Sequence, residues 1–244
     1  RILKRARRVV ALDRFMADRL YRKRDVRDKT AVMPPWPHDD QVEMIDHADN
    51  PWRKEHIGDD RFVIMYSGNH GFSTPVMTVL QAALRMQDED GLEFLFIGGG
   101  VGKKEVDETL EREKPTNVRS MPYQPFETLR FSLSAADVHL VSVGNDVVGV
   151  VHPCKIYGAM AVGRPILLLG PDPCHASDLV LDNEIGWQIS HGDVDRAIEV
   201  IREIQATPRE TLQEMGRRAQ AVIRRDLSRN LLCGRFCDVV ENRT

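Results

Sequence analysis

Phe62-Val63-Ile64-Met65-Tyr66-Ser67-Gly68-Asn69-His70-Gly71-Phe72-Ser73 is the stretch whose reading decides the fold. Phe62 to Tyr66 form a short uninterrupted apolar run, the pattern of a strand buried on both faces. The run enters a glycine-containing loop and then Pro75 to Arg85, where Val76, Val79, Leu80, Ala83 and Leu84 share one face of a helix. The unit then recurs. Glu93-Phe94-Leu95-Phe96-Ile97 leads into Gly98-Gly99-Gly100-Val101-Gly102 and a charged helix from Lys103 to Lys114. Two such units in succession predict parallel strands joined by right-handed crossovers.

Outward toward the carboxyl end the alternation continues. Asn117 to Met121 reads as a strand closed by Pro122-Tyr123-Gln124-Pro125, Phe126 to Ala135 as a helix, and Asp137 to Ser142 as a strand. Val150 to Gly170, VVHPCKIYGAMAVGRPILLLG, reads as loop, helix and buried strand, with Pro153 in the first helical turn and Gly163 ending the helix. A helix over Asp178 to Asn183, a strand over Gly186 to Ile189 and an amphipathic helix over Val194 to Ala206 follow, then nearly unbroken helix from Arg209. The fold class expected is α/β, a doubly wound, Rossmann-like parallel sheet of about six strands that binds ligands beyond the carboxyl ends of its strands.

Toward the amino end the order is a basic helical end, a strand Arg8 to Leu12, a helix from Asp13, which caps it, to Arg24, and a strand Thr30 to Met33. Pro34-Pro35-Trp36-Pro37 is a stiff linker, and His38 to Asp60 reads as loop and short helix with Asn50-Pro51-Trp52 as a turn. Residues 1–37 are too few to hold a core and read as the tail of another domain plus the linker. Residues 38–208 form the main domain and 209–244 a helical segment. With no initiator Met and no signal peptide, the chain is expected to be part of a longer polypeptide.

The 244 residues carry a net charge of −3, so no overall cationic bias favours nucleic acid as a partner. Arg1, Lys4, Arg5, Arg7 and Arg8, with Arg19, Arg22, Lys23 and Arg24, form a basic cluster that suits either a solvated helical face or a binding patch. No apolar run approaches the ~20 residues of a membrane-spanning helix. Cys154, Cys174, Cys233 and Cys237 lack paired metal-ligand spacing, so reduced cytosolic thiols and no metal are expected.

Several strand-end loops suit an anionic, hydroxyl-rich ligand. Gly68 and Gly71 either admit backbone N–H groups to a phosphate or simply make a turn. The run from Gly98 to Gly102 fails the dinucleotide fingerprint because Lys103 stands where its third glycine is needed. Tyr123-Gln124 offers exposed backbone to the edge of a base, or plain turn chemistry. At the helix after Val151, free N–H groups of the first turn beside the Lys155 ammonium make an anion seat. His152 and Lys155 start that helix either at the surface or in a buried polar site, and Cys154 reads as a small buried thiol rather than a nucleophile.

Taken together, YSGN (Tyr66 to Asn69), FLFIGGG (Phe94 to Gly100), NVRSMPYQP (Asn117 to Pro125), SAADVHLV (Ser134 to Val141) and VHPCKIYGAMAVGRPIL (Val151 to Leu167) resemble the carboxyl-terminal half of a family 4 glycosyltransferase. The likeness is to the branch that builds bacterial surface polysaccharides, the colanic-acid-type transferases. It implies a GT-B fold in which this half binds a nucleotide-diphosphate sugar, while the other half binds a glycan or lipid-linked acceptor. Metal-independent, cofactor-free, retaining transfer of a hexose is implied, in the cytoplasm at the inner face of the membrane, with peripheral membrane contact in the full-length protein. By position, Gly68, Asn69, Pro153, Cys154 and Lys155 would hold the donor diphosphate, and Met121, Tyr123 and Gln124 the base. Many members carry two glutamates spaced like Val150 and Gly158 here, one for the sugar and one for the ribose. Asp146 and His152 are the nearby substitutes for sugar contact, and no catalytic residue is assigned. A GT-B epimerase of UDP sugars and a non-catalytic nucleotide-binding or interaction module are the alternative functions.

Overall fold

The computed structural model describes residues 1–36, 44–58 and 60–241. Pro37, the boundary expected there, residues 38–43 and 59 of the loop expected after it, and residues 242–244 lie outside the described residues. In chain order, α1 (Ile2–Arg5), β1 (Val9–Ala11), α2 (Arg14–Lys23) and β2 (Thr30–Val32) come first, and β1 pairs with β2 in parallel. There follow α3 (Pro51–His56), β3 (Phe62–Asn69), α4 (Met77–Arg85), β4 (Leu92–Gly99), α5 (Lys103–Glu113), β5 (Val118–Met121), α6 (Leu129–Ser134) and β6 (Val138–Ser142). The remainder is α7 (Lys155–Ala161), β7 (Ile166–Leu169), α8 (His175–Asp182), β8 (Gly186–Ile189), α9 (Val194–Ala206), α10 (Arg209–Asp226) and α11 (Arg229–Glu241).

Strands β3 to β8 form one parallel sheet in the order β5-β4-β3-β6-β7-β8, the doubly wound arrangement expected. The strand pairs explain the unbroken apolar runs. Ile64, Tyr66, Phe94 and Phe96 pack with Val79, Leu80, Ile201 and Ile204 on one face of the sheet. Val63, Met65, Leu95 and Ile97 pack with Trp52 and Ala135 on the other. Successive side chains alternate between faces, so both faces must be apolar when both are covered by helices. A third cluster joins Ile166 and Leu168 to α7, α8, α10 and Leu232 of α11.

Four local expectations are corrected. Strand β3 runs to Asn69, because Ser67, Gly68 and Asn69 stay in register with Ile97, Gly98 and Gly99. The pairing survives only because both glycines lie at positive φ, 136° at Gly68 and 132° at Gly98, and a β-carbon on Gly98 would stand 1.9 Å from the Gly68 carbonyl oxygen. Asn50-Pro51-Trp52 begins α3 instead of a turn: the Asn50 side chain accepts from the Arg53 N–H, with Pro51 in the first turn. Helix α8 starts at His175, earlier than expected, since Cys174 and Ser177 cap each other reciprocally. The terminal helix is broken after Asp226, and the turn buries Leu227 and Leu232 against the sheet.

Candidate functional site

The strand order reverses between β3 and β6, and in open α/β sheets a crevice opens at that point beyond the carboxyl ends. A cavity of about 200 Å³ lies there, lined by Asn69, Thr74, Ser142, Val143, Pro153 and Lys155, with His152 and Cys154 also on its wall.

Lys155, the first residue of α7, crosses the crevice toward β3. Its Nζ donates to the Tyr66 hydroxyl at 2.8 Å and to the Asn69 carbonyl at 2.7 Å, and it stands 4.9 Å from the Tyr66 ring centroid. An ammonium has three donors, so these two bonds leave one for a ligand. Burial pulls the Lys155 ammonium down to about 8 and pushes the Tyr66 phenol up to about 12. Tyr66 also donates to the Asn69 carbonyl at 2.7 Å, which fixes the end of β3.

The expected anion seat is corrected in its details. Pro153 precedes the N-cap, Cys154, rather than sitting inside the helix. The N–H groups of Cys154, Ile156 and Tyr157 bond back to the carbonyls of His152, Pro153 and Cys154 at 3.0, 3.2 and 3.2 Å. They are spent on a tight turn, so the Lys155 ammonium is the charge this element offers. Cys154 is exposed, contrary to the buried thiol expected, because it lies on the wall of the open crevice; its sulfur is 3.6 Å from the His152 carbonyl.

The other candidate residues fall into three places. Gly68 lies against the Lys155 stem, and Asn69 supplies its carbonyl to Lys155 while its side chain lies by Gly71 and Gly100. Tyr123 is 57% exposed and its ring covers Gly99 at the end of β4, so it forms a separate flat shelf beside the crevice. Gln124 next to it is held by α3, its Oε1 accepting from Trp52 Nε1 at 2.9 Å, and Met121 packs inward on the cluster that contains Trp52. Asp146 does not join the crevice: it is exposed in another groove with Phe15, Arg19 and Arg22 of α2.

His152 is buried. Its Nδ1 lies 3.0 Å from Asp13 Oδ2 and its Nε2 2.7 Å from the Tyr157 hydroxyl, which in turn lies 3.2 Å from His175 Nε2. Asp13 Oδ1 meanwhile accepts from the Met16 N–H at 2.7 Å, capping α2. Burial alone would raise the Asp13 carboxyl, but hydrogen bonds from His152 and Met16 and the neighbouring histidines bring it below the usual range. The His175 imidazole is pulled down to about 4, first by burial and then by His152. Val150 is half exposed and Gly158 is buried in α7, so neither presents a polar side chain.

Sequence reasoning missed Tyr66, Thr74 and Ser142. Tyr66 sits in an apolar strand and reads as core, which its ring is; only its hydroxyl touches residues of the crevice, Lys155 and Thr74, and no pattern in the sequence marks that.

Residues 22–222 match the family model for group 1 glycosyl transferases. Escherichia coli K12 WcaI, a glycosyl transferase named for colanic acid biosynthesis, is 27% identical over 64% of this chain and 38% of its own length. WbjE of Pseudomonas aeruginosa, named as a glycosyltransferase, is 25% identical over 86% of this chain and 54% of its own. The chain thus spans about half the length, or less, of these curated relatives. Among solved structures, Anabaena HepE, in complex with UDP and glucose, superposes with a TM-score of 0.81 over 98% of this chain and 64% of that one, at 12% identity. Sucrose-phosphate synthase from Thermosynechococcus elongatus superposes with a TM-score of 0.79 over 99% and 59%, at 17% identity. Those identities speak for the fold alone.

Proposed function

The chain belongs to the group 1 glycosyl transferases, and from that premise we propose that it is the donor-binding part of a retaining enzyme. That enzyme would move a hexose from a nucleotide-diphosphate sugar to a polysaccharide or lipid-linked acceptor held by a domain outside this chain. The observation that carries the reading is the Lys155 ammonium, half-buried in the crevice between β3 and β6 with a donor to spare. A departing nucleoside diphosphate gains negative charge, and a preorganised cation in a partly desolvated site stabilises it with no metal or cofactor. In this reading Gly68, Asn69, Pro153, Cys154 and Lys155 surround the diphosphate, while Met121, Tyr123 and Gln124 serve the base.

Uridine is the first nucleotide to try, since HepE is a structural neighbour that holds UDP. In this reading the enzyme acts from the cytoplasmic side on a membrane-bound acceptor; among the described residues no helix is long and apolar enough to cross a membrane. Calorimetry of this chain against UDP, GDP and ADP tests the proposal. One nucleotide should bind per chain, and Lys155→Ala should weaken it at least about tenfold, the worth of a charge-assisted hydrogen bond. Failure of all three nucleotides to bind would overturn the reading.

A further inference from the structure

The chain Asp13, His152, Tyr157, His175 joins three separate pieces of sequence in the interior. Asp13 caps α2 in the amino-terminal segment, His152 lies in the loop that delivers Lys155, Tyr157 is in α7, and His175 begins α8. The Asp13 and His152 side chains are 3% and 2% exposed. The proton order can be read from the acceptors. The Asp13 carboxylate only accepts, so His152 Nδ1 donates to it. In the singly protonated ring, Nε2 then accepts from the Tyr157 hydroxyl. That spends the one proton of Tyr157, and His175 Nε2 donates to its oxygen. Every member is satisfied in one direction, as a buried polar network must be if it is to hold one geometry.

The same loop is pinned to α2 a second time. Gly149 approaches so closely that a β-carbon there would stand 2.6 Å from the Phe15 carbonyl oxygen. Two contacts on one short loop fix its path into α7, and Lys155 follows His152 after two residues. Asp13 does not line the crevice, so any effect it has on a ligand there passes through the loop.

We propose that His152 is a positioning residue: Asp13 and Tyr157 clamp its ring, and the clamp ties the amino-terminal segment to the placement of Lys155. This rests on the proposed donor site but makes a separate claim, that a side chain outside the crevice governs affinity within it. Two readouts keep the claims apart, with UDP as the probe and this whole chain as the protein.

In a double-mutant cycle, Asp13→Ala should weaken UDP binding about tenfold when Lys155 is present and have no further effect beside Lys155→Ala. Asp13→Asn should bind like the parent. Its oxygen still caps α2 and its amide can donate to His152 Nδ1, with the proton order of the chain reversed as far as His175 Nε2. Arg14→Ala removes the neighbouring bridge from α2 to Asp178 of α8 without touching His152, and should leave UDP affinity unchanged. The second readout needs no nucleotide: with Cys233 and Cys237 replaced by Ser, labelling of Cys154 by a thiol reagent should be several-fold faster in Asp13→Ala than in the parent. Absence of UDP binding with faster Cys154 labelling would sink the donor-site reading and keep the clamp. Unchanged labelling, additive losses in the cycle, or equal losses for Arg14→Ala and Asp13→Ala would each overturn the clamp. So would one tightly bound zinc ion per chain that is lost in His175→Ala, since the Asp13, His152 and His175 ligand atoms lie within 4.8 Å of one another.

Discussion

The Lys155 side chain lies along the α-carbon of Gly68: a β-carbon on Gly68 would stand 2.4 Å from Lys155 Cε and 3.1 Å from Cδ. Gly68 therefore does more than bend the backbone at φ 136°. It leaves the channel through which the Lys155 stem reaches the Asn69 carbonyl. Gly68→Ala is expected to lose UDP binding about as far as Lys155→Ala does, and to cost roughly 1 to 3 kcal/mol of stability from the strained φ. Calorimetry paired with urea unfolding checks both. UDP affinity near that of the parent would mean that the stem can move aside and that its path is not set by Gly68.

The Lys155 ammonium, at about 8, is largely charged at neutral pH and largely neutral one unit above its midpoint. A bound diphosphate favours the charged form. UDP affinity should therefore change little near pH 7 and fall as pH rises through 8, approaching tenfold per unit. The phosphate charge is already complete in this window, its second ionisation lying near 6, so the slope reports the protein. A Kd that does not change from about pH 7 to about pH 9 would remove the ammonium from the site.

Tyr123 presents an exposed ring over Gly99, backed by strand β4. A shelf of this kind suits stacking, whatever the base. Tyr123→Ala should weaken UDP by about 1 to 3 kcal/mol, the usual worth of base-on-aromatic contact, and Tyr123→Phe should restore most of it. If Phe fails where Tyr works, the hydroxyl and not the ring face is what the nucleotide uses.

The fold was legible because its signals are local and repeated. The runs at Phe62 and Glu93 are apolar on both faces because both faces are covered, and each glycine-bearing loop marks the carboxyl end of a strand. What could not be read was where backbone conformation overrides residue type. Ser67-Gly68-Asn69 has loop composition but remains strand because a second glycine, Gly98, lies opposite it in register. Cys174 is an unusual cap, so the first turn of α8 was hidden. In the site, Lys155 and Gly68-Asn69 were visible as a cation and a glycine-bearing strand end. The Tyr66 hydroxyl and the Asp13 to His152 contact were not, since the latter joins positions 139 residues apart.

His47, His70, His139 and His175 are each pulled from 6.5 to about 4, with burial the leading cause in every case. All four folded-state values lie below the unfolded value. Between about pH 6.5 and about pH 4 the unfolded chain therefore binds more protons than the folded one, and stability rises with pH. The contribution is fully present above that window and is lost as pH falls through it, each proton of difference weighing about 1.4 kcal/mol per pH unit. Urea unfolding at neutral pH and near pH 5.5 should show a marked loss, and calorimetric unfolding in buffers of different ionisation enthalpy should register proton uptake. His139 offers the cleanest check. It is buried within strand β6, and its Nε2 donates to the Leu133 carbonyl at 2.9 Å, a bond that a glutamine amide can reproduce without titrating. His139→Gln should cost some stability near neutrality yet show a shallower acid slope than the parent. An unchanged slope would mean that the imidazole keeps its proton in the folded chain.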